Sequence, residues 1–239
     1  MYGLSTSDLY FNALKDNFED RFSRLCRRYI RDDYICLDIG ANIGVTSLLI
    51  GDVCPKGAVI AVEPGASVFE ALQQNIAAND LANVTPDNCA VGDKIGTARF
   101  VEHSAWGHID EAGVEVKITT LAELKKRHNL PRVDFVKIDV EGYEPHILRS
   151  AADFLVEQRS LVYVEYNSWC LVAHSRFNPI EFLELVFDKF SEVYLVKKRG
   201  EGLIERLEPS NIIGFAHDNM VSGGCVDNLL LTSDRSRLA

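Results

Sequence analysis

Apolar residues fall into two patterns along this chain: short continuous runs, and longer stretches with helical spacing between them. Leu14, Phe18, Phe22, Leu25 and Tyr29 recur every three or four residues, which predicts an amphipathic helix within an N-terminal helical extension, residues 1–32. The run Tyr34-Ile35-Cys36-Leu37 ends in Asp38 and predicts a strand over 34–38. Ala58-Val59-Ile60-Ala61-Val62 is a second, of the continuous β-branched kind that buried parallel strands show. Helices over 44–51 and 66–79 follow them. A short strand near 84–90 holds Pro86, which places it at a sheet edge. Residues 97–101 and 114–118 alternate and predict an inserted hairpin (97–118) whose loop carries His103, Trp106 and His108. Then come helix 120–128, strand 133–138, a helix over 143–157 with Pro145 in its first turn, and strand 160–165. A polar aromatic loop (166–178) precedes helix 179–190, and the end reads as β-rich, with strands at 193–197, 203–207 and 226–232. Alternating strands and helices predict an α/β fold with a mostly parallel sheet and right-handed crossovers. With no repeat, low-complexity segment or linker, 1–239 reads as one domain.

The first strand opens into Asp38-Ile39-Gly40-Ala41-Asn42-Ile43-Gly44 and then an apolar helix, the order of a nucleotide-binding βα unit. Asn42 stands where the dinucleotide fingerprint needs glycine, which disfavours a nicotinamide oxidoreductase. Asp38 at the loop mouth is a poor neighbour for a pyrophosphate and suits a cationic amino-acid moiety, such as that of S-adenosylmethionine. Glu63 ends the second strand about 20 residues past the loop, where Rossmann-like folds hold ribose hydroxyls. The cofactor residues expected are Asp38, Gly40, Asn42, Gly44, Glu63, Asn88 and Asp139.

Leu37–Gly44, Val62-Glu63-Pro64, Asn75-Ile76-Ala77-Ala78-Asn79, Ala90-Val91-Gly92-Asp93 and Val133–Gly142, with its Lys-Ile-Asp-Val-Glu-Gly block, resemble the FkbM family of S-adenosylmethionine-dependent methyltransferases. The likeness covers residues 34–166 well. It implies a Rossmann-like class I methyltransferase fold, with a mostly parallel seven-stranded sheet, helices on both faces and an antiparallel C-terminal edge. It also implies O-methylation of a hydroxyl on a saccharide, a glycan or, as an alternative, a polyketide or other secondary metabolite. A domain that binds cofactor without catalysis is the rival of a different class.

The net charge of −10 and the lack of a long basic run argue against a nucleic-acid partner. The only cationic cluster, Arg24, Arg27, Arg28 and Arg31, reads as a solvated helix face. Six scattered cysteines without a C-x-x-C pair point to neither a disulfide framework nor zinc. Residues 1–20 lack the apolar core of a leader, and no run approaches a membrane span, so a cytoplasmic protein is expected, its oligomeric state open.

A hydroxyl is a weak acid, so methyl transfer to it calls for a general base or a metal. Acids stand at four predicted strand tips: Asp38, Glu63, Asp139 and Glu165. Asp139, Glu141 and His174 are the catalytic candidates, and Glu165, Asn167, Trp169 and His108 are those for the acceptor. Either one of the first three takes the proton, or Asp139, Glu165 and Asn167 hold Mg²⁺, which acidifies the hydroxyl. His128 and His146, on predicted helices, read as structural.

Overall fold

A computed structural model describes residues 20–102, 107–198 and 200–239. The first half builds strands β1 (Ile35–Ile39), β2 (Ala58–Val62) and β3 (Val84–Asp87), joined by helices α1 (Asp20–Tyr29), α2 (Val45–Val53) and α3 (Ala66–Ala78). Next come β4 (Ala90–Val91), β5 (Gly96–Val101), β6 (His108–Ile109), β7 (Val114–Thr119) and α4 (Leu121–Arg127). The second half runs β8 (Phe135–Ile138), α5 (Glu144–Glu157), β9 (Leu161–Asn167), α6 (Ser168–Ala173) and α7 (Pro179–Lys189). It ends with β10 (Glu192–Val196), β11 (Ile204–Arg206), α8 (Ile212–Val221) and β12 (Val226–Thr232).

The described residues form one eight-stranded sheet, ordered β11-β10-β12-β9-β8-β1-β2-β3. Strands β9, β8, β1, β2 and β3 run parallel, and β12, β10 and β11 add the antiparallel edge. The eighth strand, one more than expected, is the three-residue β11 at the outer edge. Pro86 sits in β3, the opposite edge. Two apolar layers cover the sheet. One packs α5 and α7 against Val136, Ile138, Val162 and Leu231; the other packs α1, α2 and α3 against Cys36, Val59 and Ala61. No described helix is long and apolar enough to cross a membrane.

The inserted segment is more than a hairpin. β5 and β7 pair antiparallel as expected, but β4 and β6 flank them in a separate four-stranded sheet, ordered β4-β7-β5-β6. Two helices went unread in the sequence. The aromatic loop after β9 contains α6, and the C-terminal third contains α8, whose Ile212, Phe215 and Ala216 join the core.

Gly40 sets how closely the strand tips approach. Its φ is +77°, and a Cβ there would lie 1.8 Å from the Asp139 carbonyl oxygen. The glycine therefore admits backbone from the β8 loop at close range. Gly40→Ala should cost at least ~1–3 kcal/mol of stability from the backbone conformation alone. Urea denaturation measures this; unchanged stability would show that the β1 and β8 loops can part without cost.

Candidate active site

A cleft opens over the carboxyl ends of β1, β2 and β8, the position where parallel α/β sheets take ligands, and Phe100 and Ile109 of the second sheet form its far wall. From β1 the chain follows β2 briefly, the amides of Gly40 and Ala41 donating to Val62 O at 3.1 and 2.9 Å. It then turns at Asn42, whose φ of 51° is one that asparagine tolerates better than most residues. Asn42 Oδ1 accepts from Ile43 N at 2.7 Å. The Glu63 carboxylate ties this loop to the next: Oε2 accepts from Asn42 N at 3.0 Å and Oε1 from Gly65 N at 2.8 Å. Each oxygen has a second lone pair, so a carboxylate lining the cleft this way fits a ribose diol. Burial pushes Glu63 up to about 7, against the pull of its two backbone donors. Val68, Cys89, Ala90 and Val91 supply an apolar wall beside it that suits an adenine ring.

Three residues expected to touch cofactor stand outside the cleft lining. Asp38 is fully buried and turned beneath α2; its Oδ2 accepts from Thr46 Oγ1 at 2.7 Å and Ser47 Oγ at 2.6 Å. It reaches the site through the buried Lys137, whose Nζ lies 3.4 Å from Asp38 Oδ1, 3.3 Å from Asp139 Oδ2 and 3.2 Å from Gly40 O. Gly44 has φ +95°, and a Cβ there would sit 2.7 Å from Leu72 Cδ1, so it serves the turn and the packing of α3. Asn88 is exposed and donates to the carbonyls of Glu63 and Pro64 at 2.8 and 3.2 Å, which braces the turn after β2.

The other end of the cleft gathers the remaining candidates. Glu141, at φ 55°, follows β8; Cys170 Sγ–H donates to its Oε2 at 3.2 Å, and burial pushes the carboxyl up to about 7, helped by the charge of Asp139. His174 Nδ1 lies 2.8 Å from Glu141 O. A carbonyl only accepts, so Nδ1 carries the hydrogen, and in the neutral ring Nε2 is left with a lone pair. The His108 ring stacks on His174 with centroids 4.0 Å apart and planes 9° apart, and Trp169, 60% exposed, meets His174 edge-on at 5.3 Å. A second cavity bordered by Asn167, Trp169 and His174 shares His108, Glu141 and Glu165 with the cleft. His103 and Trp106 lie outside the described residues. His128 meets Asp87 at 2.6 Å and His146 stacks on Tyr143, both away from this junction.

Of the three residues offered by the alternative metal mechanism, Asn167 is engaged elsewhere. Asn167 Oδ1 accepts from Cys170 N at 3.1 Å and so caps α6. Glu144 stands beside Asp139 and Glu165 instead, with a carboxylate oxygen of each within 4.8 Å of the others. Glu144 escaped notice because, just ahead of Pro145, it reads as an ordinary first-turn acid. Glu102 was missed as well. It follows β5, lines the cleft and accepts from both the amide, at 3.2 Å, and the hydroxyl of Ser67 at the start of α3, a long-range pairing that no local motif announces.

A parallel sheet with a glycine loop after β1, an acid at the tip of β2 and an antiparallel C-terminal edge is the class I methyltransferase fold. The chain belongs to the methyltransferase FkbM domain family, which it matches over residues 38–185. It is 27% identical over 149 residues to Methyltransferase 1 of Beauveria bassiana (strain ARSEF 2860), covering 51% of this chain and 60% of that protein. It is 26% identical over 152 residues to the hexuronic acid methyltransferase AglP of Haloferax volcanii, covering 61% of each. The chain thus spans about three fifths of the length of the curated relatives it matches. The FkbM methyltransferase of Methylobacillus flagellatus KT shares the fold with a TM-score of 0.53 at 14% identity, over 84% of this chain and 44% of that one.

Glu63 and Glu141 both bind a proton more tightly in the folded chain than an ordinary carboxyl, which ionises near 4.5. Below that pH both states are protonated, and the contribution of these groups is fully present and constant. As pH rises from about 4.5 to about 7 the unfolded chain ionises first, so these groups make folding stability fall, and Glu144, which burial pushes up to about 8, carries the fall further. Denaturant melts across this range test it, and Glu63→Ala should flatten the fall; a rise with pH in the wild type would contradict the stated burial of these acids.

Proposed function

We propose that this protein transfers a methyl group from S-adenosylmethionine to a hydroxyl of a saccharide or glycan. The observation that carries the reading is the junction of two cavities at His108, Glu141 and Glu165: one fits a nucleoside, the other is walled by an exposed tryptophan. S-adenosylmethionine supplies an electrophilic methyl on a sulfonium, and when an acceptor oxygen attacks the carbon, the C–S electron pair stays on sulfur as a neutral thioether. Glu63 holds the ribose, the loop from Gly40 to Asn42 borders the amino-acid end, and Asp139 and Glu141 line the approach to the methyl.

His174 is the base. Its Nε2 lone pair, fixed by the Nδ1 bond to Glu141 O, takes the hydroxyl proton as the new C–O bond forms. Stacking under His108 keeps the ring in that orientation. Trp169 offers an amphipathic face of the kind that packs on a sugar ring. The sugar acceptor draws support from the hexuronic acid methyltransferase among the relatives. The secondary-metabolite alternative differs only in what fills the second cavity.

Labelled S-adenosylmethionine incubated with hexuronic acids, neutral glycosides and phenolic acceptors tests this reading. Label should pass to a sugar. His174→Ala should lower kcat by about 10²–10⁴-fold, the usual share of a general base. Trp169→Ala should mainly raise the acceptor KM, because stacking binds ground and transition states alike. Transfer confined to phenols would replace the acceptor class. Cofactor binding with no transfer to any acceptor would favour a non-catalytic binding domain, and a collapse of cofactor affinity in Trp169→Ala would put that residue at the wrong end of the site.

A further inference from the structure

Glu144 and Glu165 pose a problem that methyl transfer alone does not answer. Glu144 is fully buried. Its Oε1 accepts from the amides of Val140, at 2.8 Å, and Gly142, at 3.3 Å, but its Oε2 has no hydrogen-bond partner among the described residues. Glu165 Oε2 is buried and without a partner in the same sense, although Asn167 bonds the same carboxylate. Such oxygens are costly to bury unless a proton or a cation answers them. Both belong to a cluster in which Asp139, Glu144 and Glu165 each bring a carboxylate oxygen within 4.8 Å of the other two. The three come from separate elements, the loop after β8, the start of α5 and the end of β9, so the fold converges them independently. Lys137 meets Asp139 from the β8 side.

We infer that Asp139, Glu144 and Glu165 bind one hard divalent cation, Mg²⁺ or Mn²⁺, at the junction of the two cavities. The inference rests on the methyl-transfer reading of the same site. Three oxygen donors and no nitrogen or sulfur in the cluster select a hard ion over zinc or copper. Three protein ligands leave octahedral positions for water and for the acceptor oxygen, since Asp139 and Glu165 also line the cleft. The ion then acidifies the acceptor hydroxyl and orients it, while the proton still passes to His174 and the electrons of the O–H bond stay on oxygen for the attack. The ligand set departs from the one expected from the sequence: Glu144 enters, and Asn167 acts on Glu165 instead of the ion.

Mn²⁺ titration followed by electron paramagnetic resonance, on chelator-treated protein with S-adenosylhomocysteine present, tests the site without relying on turnover. The wild type should bind one Mn²⁺ per chain, Mg²⁺ should compete for it, and Glu165→Gln should weaken binding at least tenfold. Glu144→Gln should do the same, but that residue also holds the amides of Val140 and Gly142, so Glu165→Gln is the decisive variant. Activity should be lost in EDTA and return with Mg²⁺. No Mn²⁺ binding by the wild type, or binding unchanged in Glu165→Gln, overturns the inference. Full methyl transfer in EDTA overturns it too and leaves the transferase reading standing. Mn²⁺ bound at this cluster by a chain that never binds S-adenosylhomocysteine would support the cation site and reject the transferase.

Discussion

A buried lysine holds the site together. Lys137 Nζ lies within 3.4 Å of Asp38, Asp139 and the Gly40 carbonyl, so one ammonium joins the tips of β1 and β8. Asp38 has no exposure, and removing one member of a buried charge pair leaves the rest uncompensated at a cost of about 3–5 kcal/mol. The threonine and serine at the start of α2 complete the arrangement by donating to Asp38. The glycine at position 40 follows from the same constraint, because the two strand tips come too close for a side chain there.

From that anchor the site divides by chemistry. On one side, Glu63 clamps the backbone of two loops and faces an apolar slot. On the other, carboxylates crowd together with a histidine whose orientation a backbone carbonyl dictates. The second sheet bridges the halves. Its Glu102 reaches Ser67 at the start of α3, and its His108 stacks on His174 from the loop after α6. The insertion is therefore a wall that touches both ends of the cleft.

What was legible in the sequence was what local pattern encodes. A short apolar run located β1 and a continuous β-branched run β2, Pro86 located an edge, and the acids at the strand tips located the face that carries the site. Asp38 shows the limit. A strand tip can be read from spacing, but whether its carboxylate turns toward ligand or toward Thr46 and Ser47 depends on helix placement. Helix α8 hid for a different reason. Ile213, Met220 and Val221 are exposed while Ile212, Phe215 and Ala216 pack inward, so apolar residues on both faces erase the stripe that marks a helix. Helix α6 is too short to show a period at all. Glu102, Glu144 and the stacked histidines are contacts between distant segments, and a single sequence carries no signal for them.

In the proposed site, one cleft over β1, β2 and β8 would hold the nucleoside and open at Glu141 onto the acceptor cavity. A crystal structure with S-adenosylhomocysteine tests it most directly. Ribose hydroxyls should lie within hydrogen-bond distance of Glu63 and the thioether sulfur should face Glu141 and Asp139, with the second cavity left open beside His174. A ligand whose ribose lies away from Glu63, or whose sulfur faces α2 instead of that cavity, would contradict it.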